Sequence, residues 1–235
     1  MNDKNTNYRK TADRSGRPGD SSSRKKHNAQ PNPRPRKKVA AKPGPMLYPL
    51  PLAMVSCGSM EESNIITVAW TGIINTDPPM TYVSLRKSRY SHDIIRDHGE
   101  FVINLTSREL VKACDFCGVR SGRDLDKFRE TGLTKEAGDI VSAPMIAESP
   151  VSLECVVKDV KELPSHDMFL AEIVSVHIDE AMISPEGRFR FEDMHLVTSC
   201  HGEYLPLGHE ALGFFGYSVM KPKTKKRLKG KGRRK

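Results

Sequence analysis

The sequence predicts a mainly β protein with short helices, folded as a Greek-key-like antiparallel barrel and not as a doubly wound sheet. Two observations predict it. Strand-length runs rich in β-branched residues, such as NIITVAW and VSLECVV, recur along the middle of the chain. Only a few short helical stretches are inserted between them.

The elements follow in order. MLYPLPLAMVSCGS begins with a Pro-broken lead-in and continues as a short strand over about residues 52–57. NIITVAWTGIIN reads as one strand, so Asn64, Ile66, Val68 and Trp70 share a face by the period of two. TYVSLR is the next strand, after the turn marked by Asp77-Pro78-Pro79. SHDIIRDHG is a helix with Ser91 as N-cap, Asp93 in its first turn and Gly99 at its end. FVINLT alternates apolar residues and is a strand. SRELVKACDFCG is a second helix, capped by Ser107 and stopped by Gly118. SGRDLDKFRETGL is loop with one or two helical turns. VSLECVVKDVKEL and DMFLAEIVSVHID are a pair of longer strands around a polar turn, Pro164-Ser165-His166-Asp167. HLVTSCHGEYLPLG and GFFGYS are Gly-rich and carry no assignment, and there is no internal repeat.

Charge divides the 235 residues into three parts. Residues 1–45 carry 13 Lys/Arg against 3 Asp/Glu, and residues 221–235 carry 10 Lys/Arg and no acid. The body, 46–220, holds 15 basic and 26 acidic residues, so the basic pI belongs to the tails. Both tails lack the apolar side chains that offset ordering entropy, roughly 1–2 kcal/mol per residue, and are expected to be disordered. The plain reading is two solvated tails; the alternative is a salt-sensitive hold on nucleic-acid phosphates by counterion release, with little aromatic interleaving for base stacking. The N-terminal acids Asp3, Asp13 and Asp20 argue against an organelle-targeting peptide. No apolar run reaches the roughly 18 residues of a membrane span. Five cysteines, an odd number, fit reduced thiols and a cytoplasmic location.

Three patterns bear chemistry. Trp70, the single tryptophan, reads as a core residue on pattern alone, with Asn64 in a turn; the sharper reading is a flat ligand wall with an amide at one end. Arg86, Lys87 and Arg89 precede a helix start, where unpaired N–H groups and the helix dipole suit a phosphate; an ordinary solvated basic loop is the plain alternative. Cys114 and Cys117 lie three apart, without the further ligands that zinc needs, and read first as buried structural thiols, with a redox pair as the alternative.

Taken together, NIITVAWTG, DPPMTYVSLRKSRYSHDII, GEFVINL, SGRDLDKF, PVSLEC, SHDMFLAEIVSV and GEYLPLG resemble the flavin-reductase-like family, the FMN-binding split barrels that include flavoredoxin. The resemblance covers about residues 46–220 and neither tail. It implies a homodimer of split barrels with FMN near the subunit interface. Asn64 and Trp70 would flank the ring system, Ser84, Arg86, Arg89 and Ser91 would line the phosphate end, and Thr67 is a further cofactor-binding candidate. Lys127 and His166 resemble further FMN contacts, Asn104 a polar neighbour, and Tyr204 an aromatic near the ring. The implied activity is hydride transfer from NADH or NADPH to flavin and onward to a small-molecule or protein acceptor, with no protein acid or base assigned. The alternatives are an FMN-bound electron carrier and a nucleic-acid-associated protein acting through its tails. No G-x-G-x-x-G is present, so the pyridine nucleotide would sit in a shallower site than a dinucleotide-binding fold supplies.

Overall fold

The computed structural model describes residues 33–208, 210–221 and 224. The chain divides at Gly44. Residues 33–44 are exposed and without regular structure, whereas the remaining part of the expected N-terminal tail and nearly all of the C-terminal one lie outside the described residues. From Pro45 onward the strands are β1 (Leu50–Pro51), β2 (Ala53–Gly58), β3 (Ser63–Val68), β4 (Thr71–Thr76) and β5 (Pro79–Leu85). Helix α1 (Tyr90–His98), β6 (Glu100–Leu105), α2 (Val111–Val119) and α3 (Lys127–Thr131) follow. Then come β7 (Lys135–Glu136), β8 (Met145–Ile146), β9 (Val151–Glu162), β10 (Asp167–Ile178), β11 (Val197–Cys200) and β12 (Glu203–Pro206). Among the described residues no helix is long and apolar enough to cross a membrane.

Seven strands make one antiparallel sheet in the order β3-β2-β6-β9-β10-β5-β4. Its two edge strands, β3 and β4, are joined by only Ala69 and Trp70. Laid flat, seven strands would span about 29 Å, whereas the link reaches at most about 11 Å. The sheet must therefore curl until its edges meet. No ladder between β3 and β4 is recorded among the described residues, so the barrel stays open along one seam.

Alternation builds two cores from the same strands. Ala53, Val55 and Cys57 of β2 and Ile66 and Val68 of β3 point inward, against Phe101, Phe169 and Ile95 of α1. Met54 and Ile65 point the other way and are covered by α2 and α3 through Cys114, Cys117 and Phe128. Strand β2 is thus buried on both faces, which is why all six of its residues are inside.

Several expected boundaries move. NIITVAWTGIIN is two strands, because the curled sheet needs a bend at Ala69-Trp70, and Trp70 no longer shares a strand face with Asn64. Ser91 lies inside α1, and Arg89 occupies the N-cap without a side-chain cap bond. Gly99 does close the helix, at φ 72°, with its N–H on the Ile95 carbonyl. Ser107 makes no side-chain cap bond to the short 3-10 turn that precedes α2, and Gly118 is inside α2, where a Cβ would press on Thr67 at 3.1 Å. Helix α3 is capped by Asp126, which accepts from the Arg129 N–H, and by Gly132 at φ 72°. The long pair is a hairpin, β9–β10, as expected, with two register shifts along it.

Candidate functional site

Two hollows meet along the open seam, at Ile66 and Arg89. One is walled by Ile66–Trp70 on one edge, Ser84–Arg86 on the other, and His166 from the β9–β10 turn. The other is walled by Asn64, Ser88–Ser91, Cys117, the 119–123 loop and Lys127. The seam therefore exposes a cleft with an apolar, aromatic end and a cationic end.

At the aromatic end, Trp70 is 39% exposed, which removes it from the core. Its carbonyl accepts from the Ser84 N–H at 2.9 Å, tying the link to β5. The His166 ring lies 4.6 Å from it, tilted by 35°. The imidazole is only 9% exposed, and Nδ1 lies 2.8 Å from the Ser165 hydroxyl. Burial, then the nearby Arg86 cation, hold its pKa below the usual histidine value, so the ring is neutral near pH 7.

At the cationic end, Asn64 donates from Nδ2 to the Ser91 hydroxyl at 2.7 Å. Lys127 is 3% exposed, and its ammonium donates to the carbonyls of Ile65 and Cys117, both at 2.7 Å. No carboxylate pairs with it among the described residues. An ammonium has three donors, and Lys127 lines the hollow, so one donor is left for a ligand there. Burial depresses its pKa, and the adjacent Arg89 cation lowers it further. A buried charge without a counterion is costly, so this end is complementary to an anion. Gly122 completes the cradle: a Cβ there would stand 2.2 Å from Asn64 Oδ1 and 2.8 Å from the Tyr90 ring.

Nine of the eleven expected residues line this cleft: Asn64, Thr67, Trp70, Ser84, Arg86, Arg89, Ser91, Lys127 and His166. Thr67 turns its hydroxyl to the Cys114 carbonyl in α2. Asn104 lies elsewhere. Its amide donates to Met54 O and Ser56 Oγ, and its carbonyl accepts from Ile146 N–H and Ser152 Oγ, so a fully buried network uses it up. Tyr204 is also outside both hollows. On β12 it packs over α2 and donates to Asp115 at 2.8 Å, and burial together with that carboxylate pushes its pKa up to about 12.

Sequence reasoning missed Ser88, Tyr90, Gly122 and Arg123. Arg123 lies over the Tyr90 ring at 5.3 Å and donates to the Ser88 carbonyl at 3.2 Å, joining the loops on either side of the cationic end. The signal was the Arg-Ser-Gly-Arg run at 120–123, directly before the Lys127 segment. Cys114 and Cys117 are buried in the second core, and burial raises both thiols, Cys117 to about 11. Asp139, Glu154 and His177 are the one cluster with metal-ligand spacing among the described residues. Glu154 already accepts from three backbone N–H groups there and meets His177 Nε2 at 2.6 Å, so its carboxylate is a structural clamp on the 139–141 loop.

Fold and cleft define a curled antiparallel barrel with an open seam, along which an apolar, aromatic end adjoins a cationic one. The chain belongs to the flavin reductase family: the sequence profile of the flavin reductase like domain matches residues 46–203. Flavoredoxin of Desulfovibrio vulgaris (Miyazaki F) superposes with a TM-score of 0.71 at 32% identity, over 79% of this chain and all of that one. A putative flavin reductase with a split barrel domain from Shewanella frigidimarina superposes with a TM-score of 0.64 at 19% identity, over 72% of this chain and 86% of that one, which bears on the fold alone. The NADH-dependent FMN reductase AsuE2 of Streptomyces nodosus subsp. asukaensis is 27% identical over 142 residues, 59% of this chain and 74% of that protein.

Proposed function

We propose that this chain is an FMN-binding oxidoreductase of the flavin reductase/flavoredoxin type, drawing on NADH or NADPH and passing electrons to a small-molecule or protein acceptor. The observation that carries the reading is Lys127, a buried ammonium with a free donor beside Arg89, set at the far end of a cleft from the Trp70–His166 wall. A phosphate at the Lys127–Arg89 end and a tricycle against Trp70 match those two chemistries. Bound FMN would supply a two-electron acceptor for the nicotinamide hydride, which the polypeptide does not contain.

The residues bind and orient. Lys127, Arg89, Arg86 and Ser91 would hold the anionic end, Asn64 and Ser84 polar edges, and Trp70 a flat face. His166, neutral at the working pH, presents a polar ring beside that face without adding charge. No side chain is assigned a proton-transfer step. Trp70 stays partly exposed, so a nicotinamide can approach from solvent and be held at the roughly 3–3.5 Å that hydride transfer requires.

Purified protein should be yellow and release FMN on denaturation. Anaerobic stopped-flow mixing with NADH or NADPH should bleach the flavin bands within the time of turnover. A colourless protein that takes up no added FMN overturns the reading. Bleaching only by a reduced partner protein would leave an FMN-bound electron carrier, a second reading that the likeness to flavoredoxin supports. The five free cysteines support a reducing compartment such as the cytoplasm. The basic tails would add a salt-sensitive, non-specific hold on nucleic acid.

A further inference from the structure

We propose that Asp167 is a positioning residue that fixes the cationic loop of the cleft against its aromatic wall; this rests on the FMN reading above. The loop in question, residues 86–89, runs from the end of β5 into α1 and carries three cations in four residues. Its two guanidinium groups, on Arg86 and Arg89, make no ion pair among the described residues, so the loop must be held by something else.

Asp167 is the first residue of β10 and faces Leu85, the last residue of β5, in the ladder. Its side chain is 8% exposed. Oδ2 accepts from Nε2 of His92, in the first turn of α1, at 2.8 Å. Oδ1 faces the Lys87 ammonium, within the loop, at 3.3 Å and has no other partner. One nearly buried carboxylate therefore pairs with the loop at Lys87, whose ammonium also donates to Glu162 at the end of β9 at 3.1 Å, and holds it again just beyond, at His92. These two partners also offset what burial would otherwise cost that carboxylate. The other ring nitrogen of His92, Nδ1, lies 3.1 Å from the Asp93 carboxylate.

The neighbouring residue ties the same turn to the aromatic wall. His166 precedes Asp167 and packs on Trp70. A single dipeptide thus forms the aromatic wall with one side chain and restrains the anion-binding loop with the next. The dipeptide thus helps set the spacing between the two ends of the cleft, beside the Arg123–Ser88 bond that holds the same loop from the other side. A ligand that bridges both ends depends on that spacing, and a ligand that uses only the aromatic end does not.

FMN and riboflavin separate these cases, because they share the ring and differ in the phosphate. Dissociation constants for both are measured on the full chain as the wild type, Asp167→Asn, His92→Asn and the double variant, with thermal melting as the folding check. Asp167→Asn is isosteric, and His92→Asn carries the reading should the first variant not fold. Each single variant is expected to lose about tenfold in FMN affinity, with riboflavin held within about twofold. The double variant should be no weaker than the worse single one, since both substitutions break one linkage. FMN and riboflavin falling together, an unchanged FMN-to-riboflavin ratio, or effects that multiply in the double variant would each overturn the positioning role. A wild type that binds neither flavin would instead remove the FMN reading, and this one with it.

Discussion

Lys127 places an ammonium among two carbonyls with no carboxylate paired to it among the described residues, and Arg89 lines the same hollow while Arg86 lines the adjoining one. The division of labour between the two ends of the cleft can be read one side chain at a time. Arg86 lines the hollow of Trp70 and His166, next to the Arg89 that both hollows share, and Arg86→Ala would remove a charge-assisted partner for a phosphate while leaving the flat wall in place. It is expected to weaken FMN by about tenfold and riboflavin by less than about twofold, measured by fluorescence titration. Equal losses would move Arg86 away from the phosphate. Trp70→Ala removes the flat wall common to both flavins. It should loosen each by about 3- to 10-fold with little change in thermal midpoint, because the ring is partly exposed and supports little of the core. At this scale the sequence was informative about residue type and silent about contacts. Ser91 resembled a cap because serine before a helix usually is one. Its hydroxyl instead meets Asn64, 27 residues away, and no local pattern encodes that. Asn104 stood out as a polar residue in an apolar strand, which fits a pocket and a satisfied core network equally well until its four partners are seen.

Elements were legible where local rules act alone. The β9–β10 hairpin followed from two long alternating runs and a polar turn, and α1 ended at Gly99 because a left-handed residue was needed there. The break between β3 and β4 was not legible, since Ala69-Trp70 itself carries no turn residue, the one glycine of the run, Gly72, falls inside β4, and the bend comes from the closing of the sheet. The 139–141 loop is a further case, held by a buried acid from β9 and by no turn signal of its own. Burial raises the Glu154 pKa, but the N–H groups of Val141, Asp139 and Ile140 and the His177 ring outweigh it and bring the carboxyl down to about 2. The folded pKa is depressed, so the stabilisation is present above the usual carboxylate value of 4.5 and is lost as pH falls from there toward 2. The difference is worth about 3 kcal/mol. Glu154→Gln puts an amide where three N–H donors converge. Urea titrations at pH 7 should show it less stable by about that amount, with the gap to wild type closing toward pH 3. A gap independent of pH would mean that packing, and not the ionised clamp, holds the loop.

Over the whole molecule, the curled sheet leaves β4 as an edge strand beside the cleft. Its outward N–H and C=O groups are unpaired among the described strands, and Ile73 is 67% exposed next to a partly exposed Ile74. Edge strands are normally blunted by charge or proline, whereas Thr71–Thr76 carries neither. A second copy of the chain is the cover that the family resemblance implies, and it would lie one residue from Trp70. The acidic body offers no large opposing charge along this strand. The expected result is a dimer of full-length protein in sedimentation velocity at micromolar concentration and moderate salt. Ile73→Lys, a charge on the exposed edge, should shift it to monomer with little change in the thermal midpoint of the barrel core, since the side chain is 67% exposed and belongs to none of the core clusters. FMN affinity should fall with dimer content, because the open side of the cleft would lose its cover. A monomeric wild type would remove the interface. A variant that stays dimeric, with flavin affinity intact, would place the interface on another face and leave Trp70 to work within one subunit.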